Sequence, residues 1–292
     1  MPRQILIQLD VDDQPSTFDA VVAFDSGVDH LLRHGDVTPE NVTGLIHGAM
    51  FTRGGDDLKS TAVFIGGSDV ARAEAVLDSV QETFFGPVRV SVMLDANGCN
   101  TTAAAAVAAA SRHVESADSR AVVLGGTGPV GRRVAQMLAS QHADVILTSR
   151  KLERAHTACQ SIVSQQDSAK VRAAAPQDSS ELANLMQTAQ VIIACGAAGV
   201  ELVDAETLAS LEDLLVAIDL NAVPPSGLGG IAVTDKAKSI GDNGAVAYGA
   251  IGVGGLKMKT HKAAIAKLFE TNDAVLDAAE IFAMAQSIDA NG

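Results

Sequence analysis

Residues 121–131 read AVVLGGTGPVG, a short run of small apolar residues that breaks into Gly126, Gly128 and Gly131 and continues as the apolar-periodic segment VGRRVAQMLA. This G-x-G-x-x-G spacing, set between a strand pattern and a helix pattern, constrains the fold more than any other feature of the chain. A glycine at 126 permits a tight turn off the strand, one at 128 lets the backbone approach an anion, and one at 131 lets helix and strand pack closely. The helix N-terminus then presents N–H groups and a partial positive charge, which suits the pyrophosphate of a dinucleotide. Pro129 belongs in the first helical turn, where its missing N–H costs nothing. With Thr127 and Val130, residues 126–131 form the expected cofactor-binding turn. The fold that places such a turn is a doubly wound parallel sheet of the Rossmann type.

The cofactor is narrowed by the residues at the end of the next strand, 144–148 (DVILT). A turn for NAD is followed, about twenty residues on, by an Asp or Glu that holds the ribose hydroxyl. Here that place is taken by Ser149, Arg150 and Lys151. A hydroxyl, a guanidinium and an ammonium suit a ribose 2′-phosphate, whereas they offer an NAD hydroxyl little. The reading is therefore NADP. The plainer alternative makes Arg150 and Lys151 solvated residues that open the next helix.

The 292 residues are 47% hydrophobic with 26 glycines, enough for one large or two modest α/β domains. A formal charge of −14 argues against nucleic acid as a partner, by repulsion, and leaves no basic patch for an anionic membrane. No apolar run reaches the roughly 18 residues of a membrane span. The alanine-rich residues 101–110 end at Ser111, Arg112 and His113, and residues 1–10 read as a strand, not a signal peptide. A cytoplasmic protein is expected. Cys99, Cys159 and Cys195 are scattered, with no C-x-x-C and no histidine at zinc-ligand spacing, so neither a disulfide framework nor a metal site is expected.

Along the chain, a first block reads as strand 5–10, helix 16–24, a helix capped by Thr38 with Pro39 at its first position, strand 61–67, helix 69–84, strand 88–94 and helix 100–114. The polar residues 115–120 are the linker. Strands near 121–125, 144–148, 191–195 and 214–219 then alternate with helices, as a parallel sheet requires. Two of them end in small-residue loops that carry Cys195 and Gly196 in one case and Asn221 in the other. Ligands sit off the carboxyl ends of such strands, so Cys195, Gly196 and Asn221 should border the nicotinamide half of the cofactor. A glycine-rich turn at 249–255 leads into a helix at 256–270, and an amphipathic helix at 273–287 closes the chain. With 3% aromatic content, that helix leaves room for an apolar subunit interface and a homo-oligomer. The fold class is α/β with two domains: an N-terminal α/β domain (1–115) and a Rossmann NAD(P)-binding domain (116–255), with residues 256–292 as C-terminal helices.

The segments STFD (16–19), FTRGG (51–55), TAVFIGG (61–67), FFGP-x-RVSVMLDANG-x-NTTAAA (84–105), GTGPVG (126–131), DLNAVPP (219–225) and GAIGVGGLKMKTHKAAIAKLFE (249–270) span nearly the whole chain. Together they resemble the bacterial NADP-dependent methylene-tetrahydromethanopterin dehydrogenases, some of which also use methylene-tetrahydrofolate. The resemblance implies a one-carbon oxidoreductase with a reduced pterin as substrate, an N-terminal pterin domain, and a C-terminal segment that returns to it. Hydride would leave a carbon flanked by two nitrogens whose lone pairs stabilise the cation, so alignment and exclusion of water suffice and no metal is needed. Tyr248 is followed four residues later by Gly252. The tyrosine–lysine pair of the short-chain dehydrogenases and of the folate dehydrogenase/cyclohydrolases is therefore absent, and no cyclohydrolase activity is expected. A folate-preferring dehydrogenase and a non-catalytic NADP-binding sensor stay open as alternatives.

Within that resemblance, Lys257 matches the lysine that the family places near the pterin in its GGLK motif, and it is the expected catalytic or positioning residue. Its plainer reading is a solvated helix-face lysine. Asp95, Asn97, Asn100, Thr101 and Thr102 form a strand-to-helix loop whose polar groups could pair the pterin's amide and amino edge, or could simply cap the helix. Arg53 serves either the substrate's acidic tail or a structural pair.

Overall fold

The computed structural model describes residues 2–115 and 117–291; Met1, Ser116 of the expected linker and Gly292 lie outside the described residues. The chain begins β1 (Ile5–Asp10), α1 (Thr17–Asp25), β2 (His30–His34), α2 (Val42–Phe51), β3 (Thr61–Gly66), α3 (Val70–Thr83), β4 (Ser91–Leu94) and α4 (Cys99–Ala110). It continues as β5 (Arg120–Leu124), α5 (Pro129–Ser140), β6 (Asp144–Thr148), α6 (Leu152–Gln165), β7 (Lys170–Ala174), α7 (Ser179–Met186) and β8 (Val191–Ala194). Next come α8 (Ala205–Ala209), β9 (Val216–Asp219), β10 (Lys236–Ile240) and β11 (Ala245–Tyr248). The last elements are α9 (Ala250–Lys267), β12 (Val275–Leu276) and α10 (Ala278–Ala290). Two compact units result, one of Met1–Thr101 with Met258–Ile288, the other of Thr102–Lys257 with Asp289–Gly292.

The first unit is built on a five-stranded sheet in the order β12-β4-β3-β1-β2, parallel throughout. β3 is buried along its whole length, which explains its unbroken apolar sequence: a parallel strand covered on both faces has no solvent side to alternate with. Ser16 caps α1, its hydroxyl accepting from the Asp19 N–H at 3.2 Å. Thr38 and Pro39 do not start a helix as expected. Asn41 holds residues 36–41 in a turn, its side chain accepting from Thr38 N and donating to Asp36 O, and α2 starts only at Val42. The last helix also begins later than its pattern predicts, because Val275 and Leu276 are extended against Val92 and Met93 of β4.

The second unit is a seven-stranded sheet in the order β10-β11-β9-β8-β5-β6-β7, with only the β10 edge antiparallel. Counted from β5, the parallel strands run 3-2-1-4-5-6, and the direction of winding reverses between β5 and β8. Ligands in open α/β sheets bind off the carboxyl ends of the strands at such a switch point. The core below it includes Val122, Leu124, Ile192, Leu208, Leu214 and Ala217.

The glycine-rich residues 249–255 are not a turn. They form the first turns of α9, which starts at Ala250. A Cβ at Gly249 would lie 2.1 Å from Ala232 O, and one at Gly252 would lie 1.8 Å from Asp235 O. Both glycines serve close backbone-to-backbone packing, and only Gly252, inside the helix, carries the cost of roughly 1 kcal/mol for a helical glycine.

Candidate functional site

The glycine turn off β5 is tighter, and is set one residue earlier, than the motif alone predicts. Gly125, not Gly126, takes the left-handed conformation (φ +65°). Its N–H donates to Thr148 Oγ1 at 3.2 Å, and the Gly126 N–H donates to Thr148 O at 2.9 Å. Gly126 is instead required for closeness: a Cβ there would lie 2.6 Å from Leu147 Cγ, and one at Gly131 would lie 2.6 Å from Gly126 Cα. Gly128 differs from both, because nothing lies within 4 Å of the position its Cβ would take. It is the N-cap of α5, followed by Pro129 in the first turn. The backbone therefore presents a bare, open face at the start of a helix, which fits a pyrophosphate.

The neighbouring strand ends converge on this turn. A Cβ at Gly125 would meet Gly196 Cα at 2.6 Å, so the loops after β5 and β8 abut, and Cys195 N donates to Leu124 O at 2.8 Å. Burial, and after it the carboxylate of Asp219, push the Cys195 thiol well above its ordinary range. A shift in that direction favours the protonated thiol. Asn221 is nearly buried and internally committed: its N–H reaches Asp219 Oδ1 at 3.0 Å, its Oδ1 accepts from Val223 N at 2.9 Å, and its Nδ2 donates to Pro225 O at 3.2 Å. It shapes the loop after β9. After β6, Lys151 N donates to Ser149 Oγ at 3.3 Å, while the Arg150 and Lys151 side chains are exposed.

The sequence reading missed a cavity between α5 and α6, lined by Thr127, Arg132, Glu153, Arg154, Thr157 and Ser161. Arg132 Nη2 lies 3.5 Å from Ser161 Oγ. The signal was there: Arg132 stands four residues beyond Gly128 and Arg154 three beyond Lys151, each about one helical turn from an expected cofactor-binding residue.

In the first unit, the loop after β4 is organised by Asp95. This fully buried carboxylate accepts from Asn100 N (3.0 Å), Thr101 N (3.1 Å) and Thr101 Oγ1 (2.6 Å). Asn100 Nδ2 donates to Leu94 O at 2.7 Å and to Asp277 Oδ1 at 2.9 Å. Asp95, Asn100 and Thr101 are wholly buried and bond to one another, so the cap of α4 is Asp95, and neither Asn100 nor Thr101 fills that role. Asn97 is exposed, with φ +53°, and Thr102 is half-buried. His261, absent from the sequence reading, is also fully buried. Its Nδ1 lies 3.9 Å from Asp95 Oδ2 and its ring stacks on Phe64 at 5.7 Å. It sits one helical turn beyond Lys257, which is half-buried in the middle of α9 and not at its start.

Arg53 is placed elsewhere. Its guanidinium donates to Ser60 O (2.6 Å) and Arg3 O (3.0 Å), the residues just before β3 and β1. That is the amino edge of the sheet, whereas Asp95 and Asn97 lie off the carboxyl edge. Arg53 splints two strand starts, and its assignment to the substrate site is withdrawn.

Among the described residues no helix is long and apolar enough to cross a membrane, and no group of three or more His, Cys, Asp or Glu could hold a metal ion. The strand order and the glycine turn define a Rossmann-type dinucleotide-binding fold. Residues 108–226 match the family model described as shikimate / quinate 5-dehydrogenase, and residues 17–97 match that of methylene-tetrahydromethanopterin dehydrogenase, N-terminal. Quinate dehydrogenase from Corynebacterium glutamicum superposes with a TM-score of 0.54 at 12% identity, covering 98% of this chain and 99% of that one, a likeness of fold. Among curated proteins of Methylorubrum extorquens, bifunctional protein MdtA is 46% identical over 99% of this chain and 100% of its own length. The NAD(P)-dependent methylenetetrahydromethanopterin dehydrogenase of the same organism is 30% identical over 99% of each. The chain belongs to the methylene-tetrahydromethanopterin dehydrogenase family.

Proposed function

We propose that this enzyme oxidises methylene-tetrahydromethanopterin to the methenyl form with NADP as hydride acceptor. The observation that carries the cofactor choice is the end of β6, where two exposed cations and a hydroxyl stand in place of a carboxylate. A 2′-phosphate gains charge-assisted contacts there that an NAD ribose cannot make. Residues 126–131 would hold the pyrophosphate, Ser149, Arg150 and Lys151 the 2′-phosphate, and the loops at Cys195–Gly196 and Asn221 the nicotinamide side. When bound, the nicotinamide supplies the hydride acceptor.

The first unit would take the pterin. Its buried Asp95–Asn100–Thr101 network holds the loop rigid, which leaves the exposed Asn97 as that loop's polar group able to meet the ligand. A cation beside a forming methenyl cation opposes hydride loss, so Lys257 would act by binding a pterin carbonyl away from the reacting carbon. The test is a steady-state assay with methylene-tetrahydromethanopterin and methylene-tetrahydrofolate, each with NADP and NAD. Turnover is expected with NADP and the methanopterin substrate. Arg150→Ala should raise KM for NADP roughly ten- to a hundredfold and leave that for NAD nearly unchanged. No turnover with any pair, or equal losses for both cofactors, would overturn the reading.

A further inference from the structure

We propose that Arg132 is a specificity-determining residue for NADP: it meets the ribose 2′-phosphate from the cavity between α5 and α6, while Ser149, Arg150 and Lys151 meet it from the end of β6. This rests on the NADP reading above. Among the described residues four arginines are wholly or partly buried, namely Arg53, Arg89, Arg132 and Arg133. Arg53 donates to two backbone carbonyls, Arg89 pairs with Asp273, and Arg133 Nη1 donates to the Gln136 amide oxygen at 3.4 Å. Arg132 has only the Ser161 hydroxyl, at 3.5 Å, and no ion pair among the described residues. That distance is the outer limit of a hydrogen bond. A guanidinium carries five donors in a fixed fork, so most of the fork of this half-buried side chain is left to the cavity it lines, short of acceptors that only a ligand or water can supply.

The packing of the two helices sets that fork beside the cofactor turn. Arg132 Nη2 reaches Ser161 Oγ and Gln136 Nε2 donates to Gln165 Oε1 at 3.1 Å, and in both pairs the partners are 29 residues apart in the chain. The helices therefore run the same way, and by that offset Gly128, the N-cap of α5, stands level with Thr157 of α6. α6 begins five residues before Thr157, at Leu152, so its first turn overhangs the glycine turn by about 7.5 Å at 1.5 Å per residue. The cavity, of about 620 Å³, opens under this overhang, with Thr127 and Arg132 on one side and Glu153, Arg154 and Thr157 on the other. A phosphate monoester brings up to two charges and several acceptor oxygens, which a guanidinium can take in bidentate fashion. An NAD ribose, whose hydroxyls suit a carboxylate, gains little from it. Glu153, the sole acid lining the cavity, opposes a dianion and so limits how tightly the phosphate is held.

Arg132→Met keeps the aliphatic stem and removes the fork. In calorimetric titrations it should weaken NADP roughly ten- to a hundredfold and leave NAD unmoved, and Arg132→Lys should restore part of the loss as a point charge. Its ligand-free unfolding midpoint should stay parental, because only one long contact is lost. Glu153→Gln should tighten NADP and leave NAD as it was. Inorganic phosphate should weaken NADP more than NAD in the parent, and that difference should shrink in Arg132→Met. Parental NADP affinity in Arg132→Met, equal losses for both cofactors, or phosphate that binds without weakening NADP would overturn the role of Arg132; the last result would make the cavity a separate anion site. Arg150→Ala tells the two failures apart. If it separates NADP from NAD and Arg132→Met does not, only the role of Arg132 falls; if neither does, the NADP reading falls with it. None of these titrations needs turnover of a pterin.

Discussion

Gly128 and Gly131 stand three residues apart in one motif, and the structure makes them respond to the same substitution in opposite ways. An alanine at 131 would place its Cβ 2.6 Å from Gly126 Cα and 2.9 Å from both Gly126 C and O. Carbon atoms rest at about 3.5–4.0 Å, so helix and turn must separate by about 1 Å. Overpacking of that kind costs about 1–3 kcal/mol. At position 128 the Cβ meets nothing within 4 Å, and the backbone (φ −74°, ψ 169°) suits any residue. Alanine there should leave the ligand-free protein as stable as the parent, or more stable by about 0.4–1 kcal/mol through a less flexible unfolded chain. Its methyl would occupy the face proposed for the pyrophosphate, and losing one or two charge-assisted hydrogen bonds of about 1.5–3 kcal/mol each should weaken NADP at least tenfold. Denaturant unfolding without ligand and calorimetric titration with NADP measure the two effects. Gly128→Ala with parental NADP affinity, or as unstable as Gly131→Ala, would refute the reasoning.

Three further outcomes are expected of the site and its surroundings. Lys257→Met should lower kcat with methylene-tetrahydromethanopterin while calorimetric NADP affinity stays parental; full turnover would return Lys257 to an ordinary helix-face role. Arg53→Met should lower stability by about 1–2 kcal/mol, because two strand-start carbonyls lose their donor, with KM for the pterin unmoved in the steady-state assay. His113, 2.8 Å from the Tyr248 hydroxyl, is held below its ordinary value of 6.5, first by burial and then by the Arg112 cation. As pH falls through 6.5 the unfolded chain gains a proton that the folded one does not, so stability drops until the folded-state value is reached. His113→Gln should flatten that slope in denaturant melts recorded across the acid side of neutrality.

What was legible in the sequence was local. The turn after β5 needs glycines because of its own backbone and its nearest neighbours. β1, β3, β5, β6, β8 and β9 are short apolar runs because they are buried on both faces, and the cations after β6 come at a fixed distance from the motif. The strands that went unread, β2, β7, β10, β11 and β12, lie at or near sheet edges and are half-exposed, very short or, in β10, interrupted by a bulge at Lys236/Lys238. β2, β7 and β10 have no apolar pattern to show, and β11 and β12 are apolar but only four and two residues long. Arg53 looked like an anion site because nothing local says where a guanidinium points; only the chain path that brings Arg3 and Ser60 together gives it two carbonyls. His261 carried no signal of its own in the sequence. It becomes part of the candidate site because α9, some 160 residues beyond β4 in the chain, packs its ring between Phe18, Phe64 and Asp95. A pattern of short period records what a residue's own backbone demands, whereas a side chain's partner depends on which distant segments the closed sheet sets beside it, and that is decided only when the whole unit folds.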